Sequence, residues 1–232
     1  MTKKRKAIII FLFATIIISI SCISLQAKRQ NIKKLNEKFI KITDNDFLSV
    51  IKLNKIYDVY LGSDDAKIDI IEYGSFTCYH CSSFFLDNFD KLKKDYIDTG
   101  KVRFIHRSVV GDKLGFDVSK VIKCINGDSS LKMKVINLFY STQNAWISNS
   151  AEESAKKINK ILTTSGINTV ELKKCTEHDK VSQMILDEQH FISKNLNITS
   201  TPTIFVGTIK IKGYIGYEEL SEAINIELSQ KD

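Results

Sequence analysis

The 232-residue chain carries 34 lysines and arginines against 27 aspartates and glutamates, a formal net charge of +7. Four of the bases and none of the acids lie in the first 27 residues, so a chain cut after Ala27 keeps 30 against 27, net +3. A surface that mildly basic, with no basic cluster interleaved with aromatics, argues against a nucleic-acid partner, and no internal repeat or low-complexity tract is present.

Residues 1–27 open with Lys3, Lys4, Arg5 and Lys6 and then run uncharged from Ala7 to Ala27. This is the pattern of a secretory signal or an uncleaved membrane anchor. The apolar part, Ala7 to Ile18, is short for a span, and Leu25-Gln26-Ala27 offers a cleavage site. Ser19-Ile20-Ser21-Cys22 is similar to a lipoprotein box with serine where leucine is expected. Cleavage is favoured over an anchor, and an anchor over lipidation at Cys22. All three export the protein, and export sustains disulfides.

Residues 28–55 read as a polar spacer followed by one helix over Asp44–Leu53, and Ile56–Leu61 as a first strand. Gly62-Ser63-Asp64-Asp65 supplies a turn, and the β-branched run Ile68-Asp69-Ile70-Ile71 a buried strand. Ten residues follow, Glu72-Tyr73-Gly74-Ser75-Phe76-Thr77-Cys78-Tyr79-His80-Cys81, and then Phe84, Phe85, Phe89 and Leu92 at helical spacing. Gly100 ends that helix, and Val102–Val110 reads as the next strand. His106, flanked there by Arg103 and Arg107, reads as a satisfied structural histidine rather than a catalytic one.

From 112 to 195 the chain turns helical, with helices expected over Lys113–Asn126, Ser130–Ser141, Ala151–Thr164, Thr169–Thr176 and Asp179–Asn195, and a loop around Trp146. Trp146, Phe139 and Tyr140 could cover a site but read as core; His178 and His190 receive no role. After Thr201-Pro202, residues Thr203–Val206 and Ile209–Lys212 form a hairpin about Gly207-Thr208. A helix over Tyr217–Leu228 closes the chain.

The two cysteines at 78 and 81 therefore stand where a strand hands over to a helix. Free backbone N–H groups and the positive end of the macrodipole stabilise an anion there, so Cys78 should ionise more readily than a free cysteine. Cys81 is about 300° round the helix, close enough to the same face to attack a disulfide formed at Cys78. Zinc ribbons use the same spacing, but Cys22, Cys124 and Cys175 stand alone, and His80 at i+2 points elsewhere. The strand-then-helix context favours redox over metal. Glu72 is either a strand-end carboxylate facing water, the slightly favoured reading, or a buried group able to exchange a proton with Cys81. Pro202, the only proline, is either an edge residue or the site of a cis peptide pressing its loop against another element. Cys124 and Cys175 are two buried thiols or one structural disulfide, and the oxidising compartment favours the disulfide.

Phe76-x-Cys78-x-His80-Cys81, an acid six residues before the first cysteine, and Thr-Pro-Thr opening a late strand resemble the thioredoxin-fold thiol–disulfide oxidoreductases. The Cys-x-His-Cys form and the long helical insertion are similar to the DsbA type of the bacterial envelope. The resemblance covers roughly residues 56 to 228, and the combination is more specific than any one part. It implies that Cys78 is the exchanging sulfur and Cys81 the resolving one, that His80 stabilises the Cys78 thiolate, and that Glu72 is a buried acid. It implies further that Thr201-Pro202 is a cis-proline loop facing the disulfide, forming the substrate-binding surface with Tyr79. Tyr79 departs from the family, which usually has proline there.

The expected architecture is α/β: a thioredoxin fold in two parts, 56–111 and 196–232, interrupted by an all-helical insertion at 112–195 and preceded by the leader 1–27 and the spacer 28–55. The order strand–strand–helix–strand–(helical insert)–hairpin–helix agrees with it. The implied function is a periplasmic, monomeric thiol:disulfide oxidoreductase that oxidises reduced exported proteins. A DsbB-type quinone-linked membrane oxidase would re-oxidise it, and no cofactor or metal is needed. Two alternatives remain at this point, an isomerase or reductase of the same fold and an envelope copper or zinc carrier using Cys78 and Cys81.

Overall fold

The computed structural model describes Gln26, residues 39–43 and residues 58–231. The leader, the spacer helix expected at 44–53 and the start of the strand expected from Ile56 lie outside the described residues. The chain divides into two compact units, Met1–Ile40 and Lys41–Asp232, and the site belongs to the second. Among the described residues no helix is long and apolar enough to cross a membrane.

A short strand β1 (Phe39–Lys41) straddles the boundary between the units. The others are β2 (Val59–Leu61), β3 (Ile68–Gly74), β4 (Val102–Ser108), β5 (Thr203–Val206) and β6 (Ile209–Lys212), standing in the order β6-β5-β3-β4-β2. β3 pairs parallel with β4 and antiparallel with β5, so the sheet is mixed. The parallel register sets Glu72 opposite His106. Because side chains alternate between faces, Ile70, Glu72, Phe104 and His106 share one face of the sheet. Ile71, Tyr73 and Ile105 line the other, in a cluster with Phe205, Ile192 and Leu196.

The first face is covered by helix α1, which begins at Tyr79–Phe84 and continues through π-helical turns at Phe85–Phe89 and Lys93–Ile97. Its Phe84, Phe85, Phe89 and Leu92 are all buried, each contributing about 1.5–3 kcal/mol of apolar transfer. Phe85 and Phe89 both meet Phe104 of the sheet edge-on. Gly207 turns the β5–β6 hairpin at φ +50°, a conformation that favours glycine.

The insertion comprises α2 (Lys113–Cys124), α3 (Ser129–Ser141), α4 (Gln143–Trp146), α5 (Ala151–Thr164), α6 (Thr169–Thr176) and α7 (Asp179–Asn195); α8 (Tyr217–Leu228) closes the fold. Side chains of Asp112, Asp128, Ser150 and Asn168 cap α2, α3, α5 and α6. His178, given no role above, caps α7 by accepting the Lys180 amide at 3.2 Å. The loop expected around Trp146 contains a helical turn, because the Trp146 indole donates to the Phe139 carbonyl at 2.7 Å and folds the segment back on α3. Phe139, Tyr140 and Trp146 are fully buried. Cys124, the last residue of α2, is joined to Cys175 on α6, with Cα atoms 5.7 Å apart.

Candidate active site

Cys78 is the N-cap of α1, with extended backbone and no side-chain cap on the first turn. The orphan amides of that turn are thus left for its own sulfur. The Cys78 amide donates to Ser75 O at 3.0 Å, and its carbonyl accepts the Ser82 amide at 3.2 Å. Its sulfur is half-buried and held down to about pKa 5, first by a hydrogen bond from the Cys81 thiol and then by the Thr201 side chain and the amides of Cys81 and His80. Burial opposes this but does not prevail. Cys81 is fully buried, and its thiol is pushed far up by that burial, by the bond it gives Cys78 and by the charge of Glu72. Two cysteines one turn apart thus take opposite characters: an accessible sulfur that ionises and a buried one that holds its proton.

The loop facing them comes from the start of β5. The Thr201–Pro202 peptide is cis, and the Thr201 carbonyl accepts from Cys78 Sγ at 3.3 Å. Of the two readings of Pro202, the structure has the loop against the active-site helix. Tyr79 is 66% exposed beside this loop's partner Cys78. His80 is exposed too and meets the Tyr79 ring edge-on at 5.7 Å. His80 reaches the Cys78 sulfur through its backbone amide.

Glu72 is fully buried, which corrects the slightly favoured reading of a strand-end carboxylate facing water. β3 runs on to Gly74, so Glu72 lies inside the strand and points under α1. Its Oε2 is 2.5 Å from His106 Nδ1, while Oε1 has no hydrogen-bond partner. His106 is boxed by the rings of Phe76, Tyr140 and Phe85 at 5.3, 5.6 and 6.3 Å. The buried Tyr140 hydroxyl also lacks a partner. A Cβ at Gly74 would overlap both Glu72 Oε1 and that hydroxyl, so residue 74 must be glycine for the two groups to stand together.

Two contacts from the insertion were not expected. Asp112 accepts from Thr77 Oγ1 with one oxygen and caps α2 with the other. Gln143, on α4, donates its amide to the carbonyls of Phe76 and Cys78 at 2.8 and 3.0 Å. Neither residue belongs to a motif, and a sequence gives no sign that a glutamine 65 positions away turns inward. Among the described residues no group of three or more histidines, cysteines or acids could hold a metal.

Among curated proteins, a Rickettsia bellii protein provisionally named a protein-disulfide oxidoreductase is 31% identical over 169 residues, 72% of this chain and 63% of its own length. The Bacillus subtilis disulfide bond formation protein D is 28% identical over 177 residues, 74% of this chain and 77% of its own. The match thus spans under two thirds of the Rickettsia relative's length. Among solved structures, Wolbachia pipientis alpha-DsbA1 superposes with a TM-score of 0.72 at 24% identity, over 79% of this chain and 96% of that one. Oxidised Bacillus subtilis BdbD gives 0.65 at 24%, over 74% and 93%. The fold is therefore that of the DsbA structures, a thioredoxin core with a helical insertion. The family model described as Thioredoxin (Thioredoxin_4) matches residues 54–226, three quarters of the chain, and the chain belongs to that family.

Proposed function

We propose that this protein is an exported thiol:disulfide oxidoreductase that forms disulfides in reduced envelope proteins through Cys78 and Cys81. The observation that carries the reading is the asymmetry of the pair: Cys78 half-exposed and acidified to about 5, Cys81 buried and pushed the other way. In the oxidised enzyme a substrate thiolate attacks Cys78 Sγ. The Cys78–Cys81 bond breaks, a substrate–Cys78 bond forms, and Cys81 leaves as a thiolate that takes up a proton. A second substrate thiolate then attacks the substrate sulfur, the mixed disulfide breaks, and Cys78 leaves as a thiolate. The substrate loses two electrons and the enzyme gains them. A leaving group of low pKa departs fast and stabilises the reduced enzyme, which makes an oxidant.

Glu72 is the proton donor to the Cys81 thiolate and the acceptor when the enzyme is re-oxidised. Its burial, its unpartnered Oε1 and its charge felt at Cys81 support the role. Thr201, Pro202 and Tyr79 form the surface that receives the substrate strand, with the Thr201 carbonyl already turned to Cys78. His80 supplies one of the amides facing the thiolate and exposes its ring beside Tyr79. The leader supports a periplasmic location, and relatives named for disulfide formation support re-oxidation by a DsbB-type quinone-linked membrane protein.

The test is oxidation of a reduced, unfolded disulfide protein by the oxidised enzyme, together with the Cys78–Cys81 potential against glutathione. Stoichiometric substrate oxidation and a potential well above that of thioredoxin, about −270 mV, are expected. A potential at or below that value would make the protein a reductase.

A further inference from the structure

Gln143 is buried, 4% exposed, on the short helix α4 of the insertion. Its side-chain amide reaches out of that subdomain to the loop ahead of the active-site helix. One nitrogen, Nε2, donates to the Phe76 carbonyl at 2.8 Å and to the Cys78 carbonyl at 3.0 Å. These two carbonyls bracket Thr77, whose hydroxyl is held in turn by Asp112 at the head of α2. Cys78 has no side-chain cap to fix it, so its backbone is located by the Ser75 carbonyl, the Ser82 amide and Gln143. The thiolate depends on that placement, because it is stabilised by the amides of His80 and Cys81 and by Thr201. Donation to the Cys78 carbonyl also draws off negative charge next to a sulfur that must carry one.

We infer that Gln143 is a positioning residue for the redox centre, by which the helical insertion raises the oxidising power of Cys78–Cys81. Gln143 touches neither sulfur and acts through the Cys78 backbone. The inference rests on the dithiol-exchange reading proposed above.

The variant Gln143→Met keeps the volume and removes the donor; Gln143→Glu keeps the shape and reverses the polarity. In both, the Cys78 thiolate titration, followed by absorbance at 240 nm, is expected to move up from about 5. The equilibrium constant with glutathione is expected to shift three- to tenfold toward the reducing side, the worth of about one hydrogen bond. Thermal unfolding of each variant is measured alongside. Unchanged titration and unchanged equilibrium in both variants, whether or not the melting temperature falls, would reduce Gln143 to a packing residue and overturn the inference. Failure of the wild-type enzyme to oxidise dithiols would instead remove the reading beneath it.

Discussion

Glu72 and His106 face each other across the parallel β3–β4 pair, Oε2 to Nδ1 2.5 Å, both closed off from solvent beneath α1. Among the described residues this Oε2–Nδ1 contact is the one hydrogen bond Glu72 makes with a side chain. The pocket is lined by the Phe76, Phe85 and Tyr140 rings, with Ser108 Oγ 3.5 Å from His106 Nε2. Removing His106 therefore leaves the buried Glu72 carboxyl with nothing to bond, which costs far more than the pair contributes. His106→Leu is expected to lower the unfolding free energy by about 3 kcal/mol, read from urea denaturation at unchanged m-value. Glu72→Leu combined with His106→Leu should recover part of that loss. Equal stability of His106→Leu and the parent would mean that the pair holds nothing in place.

Glu72→Gln separates the proton role from the structural one. Glutamine can still hydrogen bond His106 but cannot exchange a proton with Cys81. Resolution of a mixed disulfide at Cys78 by Cys81 is expected to slow about 10²-fold, measured by stopped-flow with a fluorescent peptide disulfide. Because Glu72 is felt at Cys81 and is not among the main influences on Cys78, the Cys78 titration should stay near 5. Unchanged resolution would assign the proton to solvent.

The pH dependence of stability follows from Cys78 alone in the oxidisable pair. Its ordinary value of 9.0 falls to about 5 in the folded, reduced protein. A depressed acid stabilises the fold above its unfolded value and loses that contribution as pH falls through its folded value. The oxidised form has no thiol to titrate at this position. The reduced form is thus expected to gain stability relative to the oxidised form as pH rises from about 5 through neutral, and to show no such pH-dependent gain below about 5. Half-exposure of the sulfur lets solvent screen the effect. Cys81, whose thiol burial pushes up, stays protonated through this window and works against stability only as pH approaches 9.0. Denaturation midpoints of both redox forms across this range give the answer, and a reduced form that gained stability on the oxidised one as pH fell would contradict the assignment.

The roles of the two sulfurs are separable. Cys78→Ser removes the accessible sulfur and should abolish exchange. Cys81→Ser should retain attack at Cys78 and accumulate enzyme–substrate mixed disulfides visible on non-reducing gels. Equal residual exchange in both variants is the outcome that the burial difference between the two does not allow.

Much of this architecture is legible in the sequence because it is written in local signals. The expected bounds of α5, α6, α7 and α8, set by the turn signals between them, match the observed ones to the residue, and Gly207-Thr208 marks the hairpin. Cys78 and Cys81 stand out because a strand-to-helix junction is itself a local pattern. What escapes is non-local. Glu72 reads as a strand end because three isoleucines precede it, yet the strand continues through Tyr73 and Gly74. His106 is the satisfied structural histidine expected between two arginines, because alternation sends Arg103 to Asp69 and Arg107 to Asp58 and turns His106 inward. Its partner Glu72, however, lies 34 residues away and is not legible from spacing. Gln143 and Asp112 act on a loop 65 and 35 residues away, and no periodicity encodes such a contact.

The disulfide between Cys124 and Cys175 divides stability from chemistry. It closes a segment of 51 residues, for which loop-closure entropy gives about 4 kcal/mol. Cys124 is at the far end of α2 from Asp112, the residue that touches the active-site loop. Twelve residues of helix hold the two ends about 18 Å apart. The double variant Cys124→Ser, Cys175→Ser is therefore expected to melt about 10 °C lower. Well below that melting point it should keep both the Cys78 titration and the glutathione equilibrium of the parent. A changed equilibrium with an unchanged melting temperature would invert the assignment, making this second pair a partner in exchange rather than a brace for the insertion.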